Sequence, residues 1–264
     1  MKFFERSEVI MNGIKINPHL GLLEALEAAQ LIDRKLSVTA NNLANVDTPG
    51  YKADDVAFIE VLMRKIGPRY TKIYKETQSF IRKEQGVLEY TGNPLHLAIV
   101  GEGFFKVQTP NGIAYTRAGN FTLDTQRRLV TPEGYPVLAN GVPVVVDPGM
   151  TREGYITMEN SKLQVSPEGI LSIDMTEIGR LDVVTFDDYS KLKKLGKNLY
   201  VSEGAQEIRA ENYEIKQGYV EKSNVNPLRE MVNLIEIQRT FEAIQKSIKS
   251  LDEETERLIT TIQR

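Results

Sequence analysis

The sequence predicts an α+β protein. Helices at the two chain ends pair as a coiled-coil-like inner domain, and a central, mainly antiparallel all-β domain lies between them. Three observations lead there. Apolar residues near both ends recur with spacings that alternate three and four. The middle consists of short β-branched and aromatic runs punctuated by Gly, Pro and Asn. No apolar stretch approaches the roughly 20 residues that span a bilayer, so the end helices must bury their stripes against protein.

The first helix runs from about Gly21 to Val46. Leu22, Ala25, Ala29, Ile32, Leu36, Thr39, Leu43 and Val46 form its seam. Asp47-Thr48-Pro49-Gly50 ends it, because Pro49 disfavours helical geometry at Thr48 and Pro-Gly suits the centre of a type II turn. Asn41, Asn42 and Asn45 stand where they can cap the helix end and turn or bond a neighbouring helix. The connector 59–84 mixes Arg64, Lys65, Arg69, Lys72 and Lys75 with Ile66, Tyr70, Ile73, Tyr74 and Phe80, and Gly67-Pro68 breaks it.

Strand candidates follow at Leu95–Val100, Phe104–Gln108, Ile113–Arg117, Asn120–Asp124, Leu129–Thr131, Tyr135–Leu138, Val142–Val146, Ile170–Ile173 and Leu181–Phe186. Thr109-Pro110-Asn111-Gly112 is a hairpin turn. The last helix runs from about Asn226 to Arg264, with Pro227 in its first turn and Asn224 or Asn226 as N-cap. Its seam is Leu234, Ile237, Phe241, Ile244, Ile248, Leu251, Thr255, Leu258 and Ile262. At 1.5 Å per residue it is roughly 55 Å long. The spacing also fits two ordinary amphipathic helices lying on a globular core. These readings divide the chain into an N-terminal extension (1–20), a helix and turn (21–58), a connector (59–84), a β domain (85–217) and a C-terminal helix (218–264).

Composition narrows the function classes. The net charge of −3 offers no electrostatic footprint for nucleic acid. With no cysteine, disulfides, thiolate nucleophiles and cysteine-bound metals are excluded. Glu5, Arg6, Glu8 and Lys15 interrupt the N-terminal apolar residues, which is unlike a cleavable secretory signal; Met11 is an alternative start. The basic stretch Lys191, Lys193, Lys194 and Lys197 reads as a solvated loop beside Asp187 and Asp188. His19 and His96 are the only histidines, and His96 sits in an apolar strand candidate as a packed residue. Asp54-Asp55 and Asp187-Asp188 would point to opposite faces of strands. Gly101-Glu102-Gly103 lacks the third glycine of a dinucleotide fingerprint and reads as a strand turn. No catalytic set, metal site or cofactor site is expected.

At Asn41-Asn42-Leu43-Ala44-Asn45-Val46-Asp47-Thr48-Pro49-Gly50-Tyr51-Lys52 the chain resembles the N-terminal motif of flagellar rod, hook and hook-associated proteins. Gly86 to Leu95, Gly101 to Phe105, Tyr115-Thr116-Arg117-Ala118-Gly119-Asn120-Phe121 and Gln217-Gly218-Tyr219-Val220-Glu221-Lys222-Ser223-Asn224-Val225-Asn226 resemble later blocks of that family, in its order. One departure is Thr125-Gln126-Arg127-Arg128, a turn where family members often carry Gly.

The resemblance implies a structural subunit of the basal-body rod, an axial drive shaft crossing the periplasm. The proximal rod is favoured, and a distal rod or other hook-basal-body subunit is the alternative. Implied partners are copies of itself, homologous rod and hook axial subunits, and the flagellar export apparatus. Export without a cleaved signal, no nucleic acid and no direct membrane insertion complete the expectation. A soluble adaptor with a coiled-coil stalk and a β head is the alternative of another class. Assembly would rest on Leu22, Ala29, Ile32, Leu36, Asn41, Asn42, Leu43, Asn45, Leu234, Ile237, Phe241, Ile244, Ile248, Leu251, Leu258 and Ile262, with Pro49 and Gly50 setting the turn.

Overall fold

The computed structural model describes residues 9–11, 14–16, 18–64, 71–146, 150–151, 154–155, 163–173 and 176–262. The chain divides into two compact units. One comprises Met1–Leu43, Phe58–Gln78 and Pro227–Arg264, the other Ala44–Ala57 and Ser79–Asn226.

The first unit contains both long helices, α1 (Pro18–Ala44) and α2 (Pro227–Ile262). Each begins on a proline, whose fixed φ suits a first turn and whose missing N–H would have had no helical partner there. α1 therefore starts earlier than the apolar period alone indicated. A short antiparallel pair, Val9–Met11 with Ile14–Ile16, precedes it.

Shielding along both helices follows one face. In α1, Ala29, Ile32, Leu36 and Leu43 are half-buried, while Thr39 and Asn42 are buried. In α2 the least exposed positions include Glu230, Leu234, Ile237, Phe241, Ile244 and Ile248, and Arg239, Glu242, Lys246 and Lys249 between them are exposed. The side chains of Leu22, Leu251, Leu258 and Ile262 lie outside the described residues.

The connector is a paired ribbon of two strands, Asp54–Arg64 and Thr71–Ile81. Gly67-Pro68 falls outside the described residues. Its charged residues obscure the period-2 pattern that marks a half-buried strand, so the sequence reading named no strand there.

The β unit centres on a six-stranded antiparallel sheet. Its order is Leu192–Gly196, Leu199–Ser202, Gly112–Thr116, Phe104–Thr109, Val183–Phe186 and Glu207–Arg209. The strands Phe104–Thr109 and Gly112–Thr116 close through a two-residue loop, Pro110 and Asn111, with Thr109 Oγ1 donating to the Gly112 carbonyl at 2.8 Å.

Alternation in the strand sends side chains to two cores. Phe105 and Val107 join Leu97, Ile99, Phe121, Leu129, Val137 and Leu171 in the larger one. Phe104 joins Ile81, Tyr115, Val184, Phe186, Leu192 and Tyr200 in the other. There Tyr115 meets Phe186 edge-on at 4.8 Å and Phe104 meets Tyr200 at 5.4 Å.

Two expectations change. The Lys191–Lys197 stretch is not a solvated loop: Leu192–Gly196 is the edge strand of this sheet, with Leu192 buried and Lys193 and Leu195 exposed. Four lysines masked the alternation. The turn Thr125–Arg128 reaches without glycine the conformation glycine favours, because Arg127 adopts φ 58. Asp124 Oδ1 accepts from the backbone N–H groups of Gln126 and Arg128, both at 2.8 Å, and so supports the turn from its side chain.

Candidate functional site

Three sequence blocks that lie far apart in the chain converge on one buried carboxylate, Glu221, which is 1% exposed. It sits on the short strand Tyr219–Glu221, paired antiparallel with Leu88–Tyr90. Its Oε1 accepts from Lys52 Nζ at 2.7 Å and from the Gly86 backbone N–H at 2.9 Å. Its Oε2 accepts from Arg117 Nε at 2.7 Å. Lys52 and Arg117 are each 3% exposed.

Two cations against one anion would be costly in a dry interior. Backbone carbonyls meet the remaining positive charge. Lys52 Nζ donates to Glu84 O at 2.8 Å. The Arg117 guanidinium donates to the carbonyls of Gly103, Gly101 and Ile99. The positive φ of Gly101 (91°) and Gly103 (133°) bends that loop around the guanidinium. Gly101-Glu102-Gly103 is thus a turn that cradles a cation. Burial pulls the Lys52 ammonium below the usual lysine range, with Glu221 acting in the opposite direction.

Backbone contacts tie the same blocks together. The Gly50 N–H donates to Glu221 O at 2.7 Å, and the Asn224 N–H to Tyr51 O at 3.3 Å. Asn224 Oδ1 accepts from the Ala53 N–H at 2.7 Å, and its Nδ2 donates to Glu84 O at 2.9 Å. Asn224 is therefore a latch between three segments and not the cap of α2, which begins just after Asn226. Asn198 Nδ2 donates to Pro49 O at 2.9 Å. Lys194 donates to Lys52 O at 2.6 Å and pairs with Asp54 at 2.9 Å, its ammonium lying 3.9 Å from the centre of the Tyr51 ring. Asp55 faces Arg82 at 3.4 Å. Tyr51, Ala53 and Val225 pack together beneath.

Gly50 is where the chain passes tightest. The Tyr51 N–H donates to Thr48 O, closing a turn with Pro49 and Gly50 at its centre, and Gly50 has φ 67. A Cβ there would collide with the backbone of Arg117 and Ala118. Asn45 Oδ1 accepts from Thr48 Oγ1 at 3.2 Å, a local turn role. Asn42 is buried and Asn41 exposed.

Of the positions expected to carry assembly, Asn45 lies in the same unit as Pro49 and Gly50, whereas those up to Leu43 and from Leu234 onward belong to the helical unit. Sequence reading did not single out Lys52, Arg117 or Glu221, and it gave Asn224 only as a candidate cap of the last helix. Arg117 is the lone charge of Tyr115–Phe121, but Asp47 accompanies Lys52 and Lys222 accompanies Glu221 in the other two blocks, so only Arg117 offered a signal. The cleft beside the clamp is lined by Lys52, Arg82, Lys83, Glu102 and Arg117 among others, and no serine, histidine or cysteine is among its lining residues. His96 is half-buried, with Nδ1 2.9 Å from Thr91 Oγ1. Among the described residues no cluster of His, Asp or Glu is disposed to hold a metal, and no helix is long and apolar enough to cross a membrane.

Comparison with known proteins covers the same blocks. Residues 22–52 match the family described as flagella basal body rod protein, 98–173 the flagellar hook protein FlgE/F/G D1 domain, and 216–261 the flagellar basal body rod FlgEFG protein C-terminal region. A flagellar basal-body rod protein FlgF of Caulobacter vibrioides is 35% identical over 88% of this chain and 93% of its own length. A FlgF of Mesorhizobium japonicum is 30% identical over 91% and 97%. A FlgG of Bacillus subtilis is 31% identical over 90% and 97%. The clamp residues Lys52 and Glu221 fall inside two of the matched regions and Arg117 inside the third. The chain belongs to the flagellar basal-body rod protein family and is a structural subunit of that rod, not an enzyme.

Proposed function

We propose that the chain is a proximal rod subunit whose α1 and α2 pair along their seams and polymerise, in a helical array, with copies of itself and with homologous rod and hook subunits. One observation carries this. The Glu221 clamp draws the segment that ends α1 and the segment that starts α2 to the same point, through Gly50 N to Glu221 O and Asn224 N to Tyr51 O. Two seven-residue stripes that start from one point can lie along each other. Shielding of the seam positions in both helices supports the same reading.

The domain plan proposed is an inner helical domain from the chain ends, a connector ribbon and an outer β domain. The subunit is passed by the flagellar export apparatus as an unfolded chain without cleavage, crosses the periplasm as part of the rod, and neither inserts in the membrane nor binds nucleic acid. A distal position is the second reading, since relatives named FlgF and FlgG match over similar shares of the chain.

Electron microscopy of the concentrated full-length protein tests polymerisation: tubes or fibres are expected, and discrete oligomers alone would overturn it. Basal bodies isolated from cells blocked before distal rod assembly test position. A proximal subunit is present in them; absence transfers the chain to the distal rod.

A further inference from the structure

α2 carries large apolar side chains on two sides over its first turns, one of those sides shared with the buried Glu230. Glu230, Leu234 and Ile237 belong to the shielded face. Leu228, Met231, Val232 and Ile235 are open to solvent at 76%, 48%, 55% and 50%. By helical geometry the second set is centred about 140° from the first. Beyond it the same side carries Arg239, Glu242, Lys246 and Lys249. The extra apolar face is therefore confined to the stretch nearest the clamp. A helix segment apolar on both sides is built to be covered on both sides.

α1 offers a counterpart at its own clamp-proximal end. Ser37, Ala40 and Ala44 are exposed and spaced three and four, the spacing shared by Leu228, Met231 and Ile235. They form a smooth strip about 100° from the α1 seam. Large side chains set against a strip of small ones allow close approach of two helices.

The size of the α2 patch says what kind of occupant it takes. Its open area is on the order of 400 Å², about half of one partner's share in a standard stable interface. That is too little to hold an independent partner. It suits one contact among several, as a subunit makes in a polymer, where each copy presents both surfaces and the contact repeats head to tail.

We propose that Leu228, Met231, Val232 and Ile235 of α2 dock on the Ser37–Ala40–Ala44 strip of α1 in a neighbouring copy of this chain. The proposal rests on the polymerising-rod reading and adds to it a named inter-subunit contact distinct from the seam.

The chain has no cysteine, so introduced thiols are the only ones present. A full-length variant with Ala40→Cys and Val232→Cys is assembled and oxidised. A ladder of linear multimers on denaturing gels is expected, with either single variant giving none. A disulfide within one chain would overturn the docking, because the two faces would then belong to the same subunit. No cross-link in oxidised polymer would overturn it too. Val232→Lys in the full-length chain is the second measurement. It is expected to raise the concentration needed for polymer at least about tenfold, the effect of losing one modest contact, with the monomer's helical signal and melting temperature unchanged. A fall in monomer melting temperature would count against the proposal. Wild-type protein that forms no polymer sinks the rod-polymerisation reading; wild-type polymer without the ladder sinks only the docking.

Discussion

Glu221 has both carboxylate oxygens committed to cations and a backbone N–H in a site shut off from water. Replacing it by glutamine leaves Lys52 and Arg117 buried without a counter-charge. Breaking a buried pair from one side costs about 3–5 kcal/mol. Glu221→Gln is therefore expected to lower the urea midpoint of the β unit by that equivalent. Gly50→Val adds a β-branched side chain at φ 67 against the Ala118 backbone, and it is expected to destabilise by at least about 2 kcal/mol in the same assay. Arg127→Gly acts the other way. Relief of left-handed strain at φ 58 outweighs the entropy of glycine, for a gain of up to about 1 kcal/mol.

Of these three positions, Gly50 was legible in the sequence, since Pro-Gly after a helical period announces a turn with positive φ. Arg127 was legible as a place where glycine was missing. Glu221 was not. A charge in a strand of the pattern Tyr-Val-Glu-Lys reads as solvated until the fold brings Lys52 and Arg117 from 169 and 104 residues away.

At the level of elements, the turn after Thr122–Leu123 is a pH-sensitive support. Burial pushes the Asp124 carboxyl up, but hydrogen bonds from Arg128 and Gln126 outweigh this and hold it below its ordinary 3.8. Because the folded value lies below the unfolded one, its contribution is present above pH 3.8 and lost as pH falls through the folded value. Asp188, held down by Ser190, behaves in the same sense. Thermal melts between about pH 2.5 and 6 should stay level above about pH 5 and fall at the acid end. Asp124→Asn should flatten that fall in part and leave the Asp188 contribution.

The two helices and the strands Phe104–Thr109, Gly112–Thr116, Ile170–Ile173 and Val183–Phe186 were legible because period and turn residues agreed locally, while Leu163–Val165 and Thr176–Arg180 were not named. The connector ribbon and the Leu192–Gly196 edge were not, because dense lysine and arginine hide a period of two. The seam spacing defined helix faces but could not say what covers them, since a narrow stripe fits a partner helix and a globular core alike.

For the whole molecule, the chain order hides the domain order. The β unit takes Ala44–Ala57 from before the ribbon and runs through Ser79 to Asn226. A two-chain assembly of Ala44–Ala57 with 79–226 retains Lys52, Arg117 and Glu221. It is expected to melt cooperatively, as is a single chain of 44–226. A chain of 58–217 keeps most of both cores but loses Lys52 and Glu221, leaves Arg117 unpaired, and should melt without a sharp transition. Calorimetry of the single chains decides. This division could not be read from sequence, where the helix and turn 21–58 and the block 218–264 were each assigned whole to the helical domain and the clamp segments attached to them were short.

A drive shaft must transmit torque through every subunit. In this one the two covalent links between helices and sheet unit flank the same salt-bridged knot, with the Gly50–Glu221 and Asn224–Tyr51 hydrogen bonds side by side. Each of the two segments is thus held to the other by backbone hydrogen bonds as well as through the Glu221 carboxylate, so neither connection to a helix ends in an untethered strand.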